Sequence, residues 1–264
     1  MFSPAATSLL AIGVLAGLSL SAAGCAAVLL RRSPFTPVQS LLYAMNVVVA
    51  RLLWGARISG RLPVAADRGA VIVCNHCSSI DPCFIALATT RVVHWMVAKE
   101  YWRLPGLGWF FRTCEAISVD RGGMDAAATK SAIRLAARGG LIGMFPEGRI
   151  NTTGRVLLPG RPGAVLIALK ARVPIVPCYV QGSPYDGTFW SPLLMRAAVR
   201  LTWGRPMDLS EFYGRRHDRG VLKGLTERVL AEIALLAGEA DFRPELAGRS
   251  DKPGGANGNR RRGP

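Results

Sequence analysis

The sequence predicts an α/β fold, a sheet flanked by helices. Short apolar runs typical of buried strands alternate along the chain with longer helical stretches, which is the order found in α/β domains. At 264 residues the chain is long enough for one such domain with accessory segments. It contains no internal repeat, so a repeat architecture is not indicated.

The predicted elements follow an apolar amino-terminal region. Apolar runs predict strands at 70–74, 92–97, 116–119, 141–145, 174–180 and 197–202. Longer stretches predict helices at 82–88, 124–137, 163–171 and 220–236.

The amino-terminal region has the composition of a membrane anchor. Residues 1–30 carry no charged side chain, and 9–30 exceed the ~20 apolar residues that span a bilayer. Arg31 and Arg32 follow at once, so the positive-inside rule puts the body of the protein in the cytoplasm. A Gly- and Ala-rich segment of this kind also suits an interfacial helix. We therefore expect a single-pass or interfacial anchor.

Composition divides the chain into four parts. We assign 1–32 to the anchor, 33–60 to an amphipathic or interfacial helix and linker, and 61–247 to the main domain. The Gly-, Asn- and Arg-rich residues 248–264 predict a disordered basic tail. Within the second part, residues 38–54 have only one charged side chain, which suits either a membrane surface or a helix packed on the core. The apolar run 188–195 is another candidate for lipid contact.

The charge of the chain indicates an anionic partner. The formal net charge is +16, and 50% of the residues are hydrophobic. That combination favours anionic membrane lipids over nucleic acid. No zinc-finger pattern, RNA-binding signature or Gly-rich phosphate loop supports a nucleic-acid partner.

The six cysteines do not form a metal-site pattern. Cys74 and Cys77 have Cys-x-x-Cys spacing, but no second such pair and no histidine pair at zinc spacing accompany them. We expect no metal, and interpret the cysteines as small buried hydrophobes in a reducing compartment.

His76 and Asp81 are the candidate catalytic pair. His76 follows the predicted strand 70–74, and a turn between the two residues would let the carboxylate reach one imidazole nitrogen. The other nitrogen then acts as a general base toward a hydroxyl. Because no Gly-x-Ser-x-Gly motif is present, direct attack by a substrate hydroxyl is favoured over a covalent intermediate. The alternative is a strand-end histidine beside an Asp helix cap.

Three further residues follow predicted strands. Arg121 comes after 116–119, and a guanidinium suits bidentate phosphate binding, although most arginines simply face solvent. Glu147 follows 141–145 and could bind a substrate hydroxyl, hold an arginine, or form an ordinary ion pair. Gly148 allows the backbone to approach a ligand closely.

Four ordered blocks make the chain similar to a known family. They are Asn75-His76 through Asp81-Pro82, Ala98-Lys99-Glu100 through Val119-Asp120-Arg121, Phe145-Pro146-Glu147-Gly148-Arg149, and Val173-Pro174-Ile175-Val176-Pro177. Over residues 70–182 the chain resembles the 1-acyl-sn-glycerol-3-phosphate acyltransferases, a family of glycerolipid acyltransferases. The resemblance implies a mixed sheet flanked by helices, with one or more amino-terminal membrane helices.

The resemblance also implies site roles. His76 would be the general base and Asp81 its orienting partner, Arg121 would contact the phosphate of the acceptor, and Glu147 with Gly148 would help form the acceptor site. Two positions depart from the family pattern. Arg149 and Ile150 replace its usual Thr-Arg, which leaves the role of Arg149 open. Arg161 stands near the place of a usual lysine, and is either a phosphate ligand or an ordinary loop arginine.

The implied reaction moves a fatty acyl group from acyl-coenzyme A or acyl carrier protein to the sn-2 hydroxyl of lysophosphatidic acid, giving phosphatidic acid without a cofactor. Glycerol 3-phosphate or another lysolipid is an alternative acceptor. A non-catalytic, membrane-anchored protein that binds anionic lipid is the alternative from another class.

Overall fold

The computed structural model describes residues 34–121, 125–215 and 218–248. The chain divides into two compact units, Met1–Ala44 and Met45–Pro264. The predicted anchor and almost all of the predicted tail lie outside the described residues, and the four predicted domain boundaries stay predictions.

A seven-stranded mixed sheet forms the centre of the larger unit, in the order β1-β7-β6-β2-β5-β3-β4. Strands β2 to β6 run parallel, whereas β7 is antiparallel to β6 and parallel to β1. The five parallel strands therefore end at the same edge of the sheet, and the loops that follow them meet there. The strands are β1 (Arg57–Ser59), β2 (Ala70–Cys74), β3 (Val93–Ala98), β4 (Ile117–Val119), β5 (Leu141–Met144), β6 (Ile175–Gln181) and β7 (Arg200–Trp203).

Helices cover both faces of the sheet, which explains why every residue of β2 is buried. One face packs against α4, α5 and α6. The other packs against α2 and the carboxyl-terminal end of α1. The helices are α1 (Pro37–Leu52), α2 (Asp81–Ala86), α3 (Leu107–Thr113), α4 (Ala126–Ala137), α5 (Gly163–Ala171) and α6 (Arg219–Leu236).

The predicted α/β architecture is confirmed, with one strand and one α-helix missed. The strand 70–74 and the helix 163–171 have the predicted bounds, and the other predicted elements agree to within three residues. Strand β1 was missed because three residues are too few to show a period of two. Helix α3 was missed because its Trp-Phe-Phe sequence is typical of strands and it has only seven residues. Among the described residues, no helix combines the length and hydropathy needed to cross a bilayer.

Gly143 makes room for an aromatic ring against the sheet. A Cβ atom at this position would lie 2.6 Å from Cδ2 of Trp95. Gly143→Ala should therefore lower the free energy of unfolding by about 1–3 kcal/mol, the usual cost of overpacking a core, as measured by denaturant titration. Gly224→Ala in α6 is the matched control, because an added Cβ meets no heavy atom within 4 Å. Helix propensity predicts that it stabilises by up to ~1 kcal/mol. Equal stability of Gly143→Ala and wild type would contradict the position of the Trp95 ring.

Candidate active site

His76 and Asp81 meet in the turn between β2 and α2. His76 Nδ1 lies 2.9 Å from Asp81 Oδ2. The same oxygen accepts hydrogen bonds from the backbone N–H groups of Cys77 and Ser78, each 2.8 Å long. Because a carboxylate oxygen accepts hydrogen bonds, we assign the proton between the two groups to His76 Nδ1. In this tautomer Nε2 is the acceptor and can take up a proton.

Asp81 is fully buried, and its second oxygen has a donor of its own. Ser183 Oγ donates to Asp81 Oδ1 at 2.6 Å. Hydrogen-bond donors thus reach both oxygens, which compensates the cost of burying a carboxylate and fixes its orientation. Sequence reasoning missed Ser183. Its one signal is its position two residues after β6, at the edge where the parallel strands end.

Three side chains of residues 75–80, the His76 turn, contact the end of β6 and the segment that follows it. Asn75 exchanges two hydrogen bonds with the backbone of Val180. The hydroxyl of Ser78 donates to the carbonyl of Pro184 at 2.6 Å, and that of Ser79 donates to the carbonyl of Phe189 at 2.7 Å. The segment 180–189 therefore forms one wall of the site.

Glu147 braces two loops of the site from inside. Its Oε1 accepts from the backbone N–H of His76 at 2.8 Å, and its Oε2 accepts from that of Leu158 at 2.9 Å. Burial raises the pKa of Glu147 to about 7, against the lowering effect of these two hydrogen bonds. The predicted contact of Glu147 with substrate stays a prediction, whereas its backbone contacts are a structural role that the sequence analysis did not foresee.

An aromatic stack fixes the plane of the His76 ring. The ring lies parallel to that of Phe145, with centroids 3.8 Å apart and an angle of 6°. Phe145 stacks in turn on Trp95, 4.8 Å away. The imidazole can therefore tilt little without disturbing the core, which limits where Nε2 can point.

Arg161 lies beside the Glu147-Gly148 turn. Its backbone N–H donates to the carbonyl of Pro146 at 2.9 Å, and a Cβ added to Gly148 would lie 3.4 Å from Arg161 Nε. The turn needs glycine for its positive φ of 70°, and the absent side chain leaves the space that Arg161 uses. Arg149 is exposed, and its charge acts to lower the pKa of Glu147. Two cationic side chains thus adjoin this turn.

Arg121 lies further along the same edge. Its Nη1 is 3.4 Å from Glu100 Oε1, and its guanidinium carbon is 5.7 Å from the centroid of the Tyr101 ring. In the order β2-β5-β3-β4, three strand spacings separate the strand before His76 from the strand before Arg121. That is roughly 14 Å between strand axes.

A cleft of ≈ 840 Å³ opens beside the His76–Asp81 dyad. It is lined by Cys77, Asn151, Thr152, Gly154, Ser183, Tyr185, Asp186 and Gly187.

The cysteines near the site are free thiols. Burial, together with the charges of Asp81 and Glu147, raises the pKa of the Cys77 thiol to about 12. Cys74 is fully buried in β2 opposite Cys178, as expected for a core residue. Among the described residues, no group of three or more His, Cys, Asp or Glu side chains could hold a metal ion.

Comparisons with known proteins find similar acyltransferases. Residues 56–181 match the family model described as Acyltransferase. A 1-acyl-sn-glycerol-3-phosphate acyltransferase of Bacillus subtilis is 27% identical over 195 residues, which cover 74% of this chain and 94% of that protein. One from Limnanthes alba is 32% identical over 134 residues, 50% of this chain, and the chain spans only 47% of its length.

A solved structure shares the fold. The crystal structure of PlsC, the 1-acyl-sn-glycerophosphate acyltransferase from Thermotoga maritima, aligns with a TM-score of 0.56 at 21% identity, covering 74% of this chain and 78% of that one. Residues 56–181 thus match an acyltransferase family, and the chain shares the fold of PlsC. More particularly, the named relatives to which the chain is similar are 1-acyl-sn-glycerol-3-phosphate acyltransferases.

The raised pKa of Glu147 predicts a pH-dependent stability. The folded protein holds a proton on Glu147 up to about pH 7, whereas the unfolded chain releases it near 4.5. Stability from this group is therefore present below about pH 4.5 and is lost as the pH rises through 7. The loss is about 3 kcal/mol at ~1.4 kcal/mol per pKa unit.

Glu147→Gln does not ionise, so its free energy of unfolding should not fall in this way as the pH rises. Its amide accepts hydrogen bonds from the two backbone N–H groups less well than the carboxyl group does. The stability advantage of wild type over Glu147→Gln should shrink between about pH 5 and about pH 8, measured as free energies of unfolding. A constant difference between the two proteins would contradict the raised pKa.

Proposed function

We propose that this protein transfers a fatty acyl group from an acyl thioester to the sn-2 hydroxyl of 1-acyl-glycerol 3-phosphate, giving phosphatidic acid in phospholipid biosynthesis. The observation that carries the proposal is the contact of Asp81 with His76 Nδ1, which makes Nε2 the proton acceptor. The names of the Bacillus subtilis and Limnanthes alba relatives support the choice of acceptor.

The reaction needs one base and no covalent intermediate. His76 Nε2 takes the proton of the acceptor hydroxyl while its oxygen attacks the thioester carbonyl. The tetrahedral intermediate then collapses, the carbon–sulfur bond breaks, and the imidazolium returns the proton to the leaving thiolate. Asp81 stabilises the imidazolium between these steps. The cleft beside Cys77 has room for the reacting groups.

Arginines supply the counter-charge for the acceptor's phosphate. Arg161 and Arg149 adjoin the Glu147-Gly148 turn, next to the base, whereas Arg121 lies farther along the sheet edge. We assign phosphate binding to Arg121, with Arg161 and Arg149 as further ligands. One guanidinium group can donate two parallel hydrogen bonds to two oxygens of a phosphate. Glu147 and Gly148 together help form the acceptor site.

We place the reaction at an anionic membrane surface, with the catalytic unit on the cytoplasmic side and a single-pass or interfacial anchor. Helix α1 supports this assignment, because its apolar side chains Met45, Val48 and Leu52 recur every three or four residues and are exposed. In the amino-terminal unit, Val38 and Leu41 of the same helix are also exposed. The opposite side of the helix in the larger unit packs in the core through Ala50.

Replacing His76 tests the reaction. The full chain in lipid nanodiscs is offered labelled lysophosphatidic acid and glycerol 3-phosphate with acyl-coenzyme A or acyl carrier protein. His76→Ala should lower kcat roughly 10²- to 10⁴-fold, the usual contribution of a general base. His94→Ala is the matched control, because His94 lies near the start of β3 and contacts the Glu115 carbonyl instead of the site.

Each other result has a definite meaning. Transfer by His76→Ala at the wild-type rate would remove the base from the mechanism. Product from glycerol 3-phosphate alone would keep the mechanism and change the acceptor. No transfer by folded wild type to either acceptor, with either donor, would favour the lipid-binding alternative.

Replacing Ser183 tests the support of Asp81. Ser183→Ala removes the donor to Asp81 Oδ1, and a hydrogen bond to a charged group contributes about 1.5–3 kcal/mol. We expect kcat to fall roughly 10- to 100-fold with little change in KM, because the substrate does not contact this oxygen. Ser183→Thr keeps the hydroxyl and should retain most of the activity. A rise in KM at constant kcat would assign Ser183 to substrate binding instead.

A further inference from the structure

Two exposed apolar segments adjoin at one end of the larger unit. Trp54 Nε1, just after α1, donates to the carbonyl of Pro192 at 2.9 Å, and Ala197 N–H donates to the carbonyl of Leu53. In these two segments, six large apolar side chains are exposed, with Leu52 at 82% and Leu194 at 90%. We call them the apolar patch: Met45, Val48, Leu52, Trp190, Leu193 and Leu194. Apolar groups gathered in this way mark an interaction surface.

The charge around the apolar patch identifies its partner. Residues 45–62 and 187–206 contain six arginines and no aspartate or glutamate. Two of the arginines, Arg57 and Arg200, are exposed register partners on β1 and β7, at the edge of the sheet. Apolar side chains with an arginine rim fit an anionic bilayer. A second copy of this chain would instead bring like charges together.

The apolar patch is connected to the catalytic dyad through a short chain of contacts. Trp190 packs edge-on against Phe189, with ring centroids 5.0 Å apart. The carbonyl of Phe189 accepts the hydroxyl of Ser79, in the His76 turn. Ser183, at the start of the same segment, donates to Asp81. The segment that carries Trp190, Leu193 and Leu194 therefore also supports the orienting carboxylate.

We propose that Trp190, Leu193 and Leu194 enter an anionic bilayer beside α1, and that this contact holds segment 183–194 where Ser183 supports Asp81. Trp190 suits the headgroup region, because an indole combines an apolar ring with a polar N–H. Catalytic turnover then depends on membrane contact at a loop as well as on the amino-terminal region. The bilayer contact stands on the apolar patch itself, whereas its effect on turnover rests on the proposed function.

Photocrosslinking tests the bilayer contact. The full chain carries p-benzoylphenylalanine in place of Leu194 or, as a matched control, of Leu235, which is 57% exposed on α6 against the other face of the sheet. Both proteins are irradiated in nanodiscs of equal parts labelled phosphatidylglycerol and phosphatidylcholine. We expect lipid adducts from position 194 and at least severalfold fewer from 235. Equal yields, or a protein–protein adduct at 194, would overturn the proposal.

A double-mutant cycle tests the coupling. In the same nanodiscs, with a short-chain, water-soluble lysophosphatidic acid, Leu193→Ser with Leu194→Ser should lower kcat severalfold, and Leu235→Ser should not. Combined with Ser183→Ala, the double serine change should add little, because both act through one hydrogen bond. Fully additive losses would overturn the coupling. No transfer by wild type would refute the proposed function alone, since crosslinking decides the contact independently.

Discussion

The buried carboxylate of Asp81 is the constraint on which the site depends. One of its oxygens accepts hydrogen bonds from His76 Nδ1 and from two backbone N–H groups, and the other accepts one from the Ser183 hydroxyl. A carboxylate without water must satisfy its lone pairs from protein donors, so the loop between β2 and α2 has little freedom to take another path. The same hydrogen bonds that make burial affordable also select the tautomer of the base.

Glu147 is a second buried acid. It fixes the contact between two loops of the site, as Asp81 fixes the orientation of the imidazole. It joins the backbone at His76 to that at Leu158, which lies in another loop at the same edge of the sheet. Each acid therefore connects chain segments that are far apart in sequence. The geometry of the site follows from two internal acceptors placed at the ends of two neighbouring parallel strands, β2 and β5.

The sequence predicted those parts of the fold that depend on local patterns. Strand β2 is an apolar run ended by Asn75, and β5 is an apolar run followed closely by Pro146, so the positions of both strands, and that of His76 after β2, could be predicted directly. Ser183 could not be found in this way, because its partner is 102 positions away and nothing local distinguishes it from other loop serines. The backbone partners of Glu147 were equally hidden, since an N–H group has no sequence signature. The predicted phosphate ligands stay predictions, because their role concerns a substrate and not another part of the chain.

The thiol of Cys77 stands next to the base, in a protein whose proposed donor is a thioester. A thiolate in that place would exchange with the donor and hold the acyl group on the protein. With its pKa raised to about 12, only about one Cys77 side chain in 10⁵ is ionised at neutral pH. Burial, and after it the charges of the acids that organise the dyad, thus keep this sulfur in the thiol form, so that it competes little with the acceptor hydroxyl.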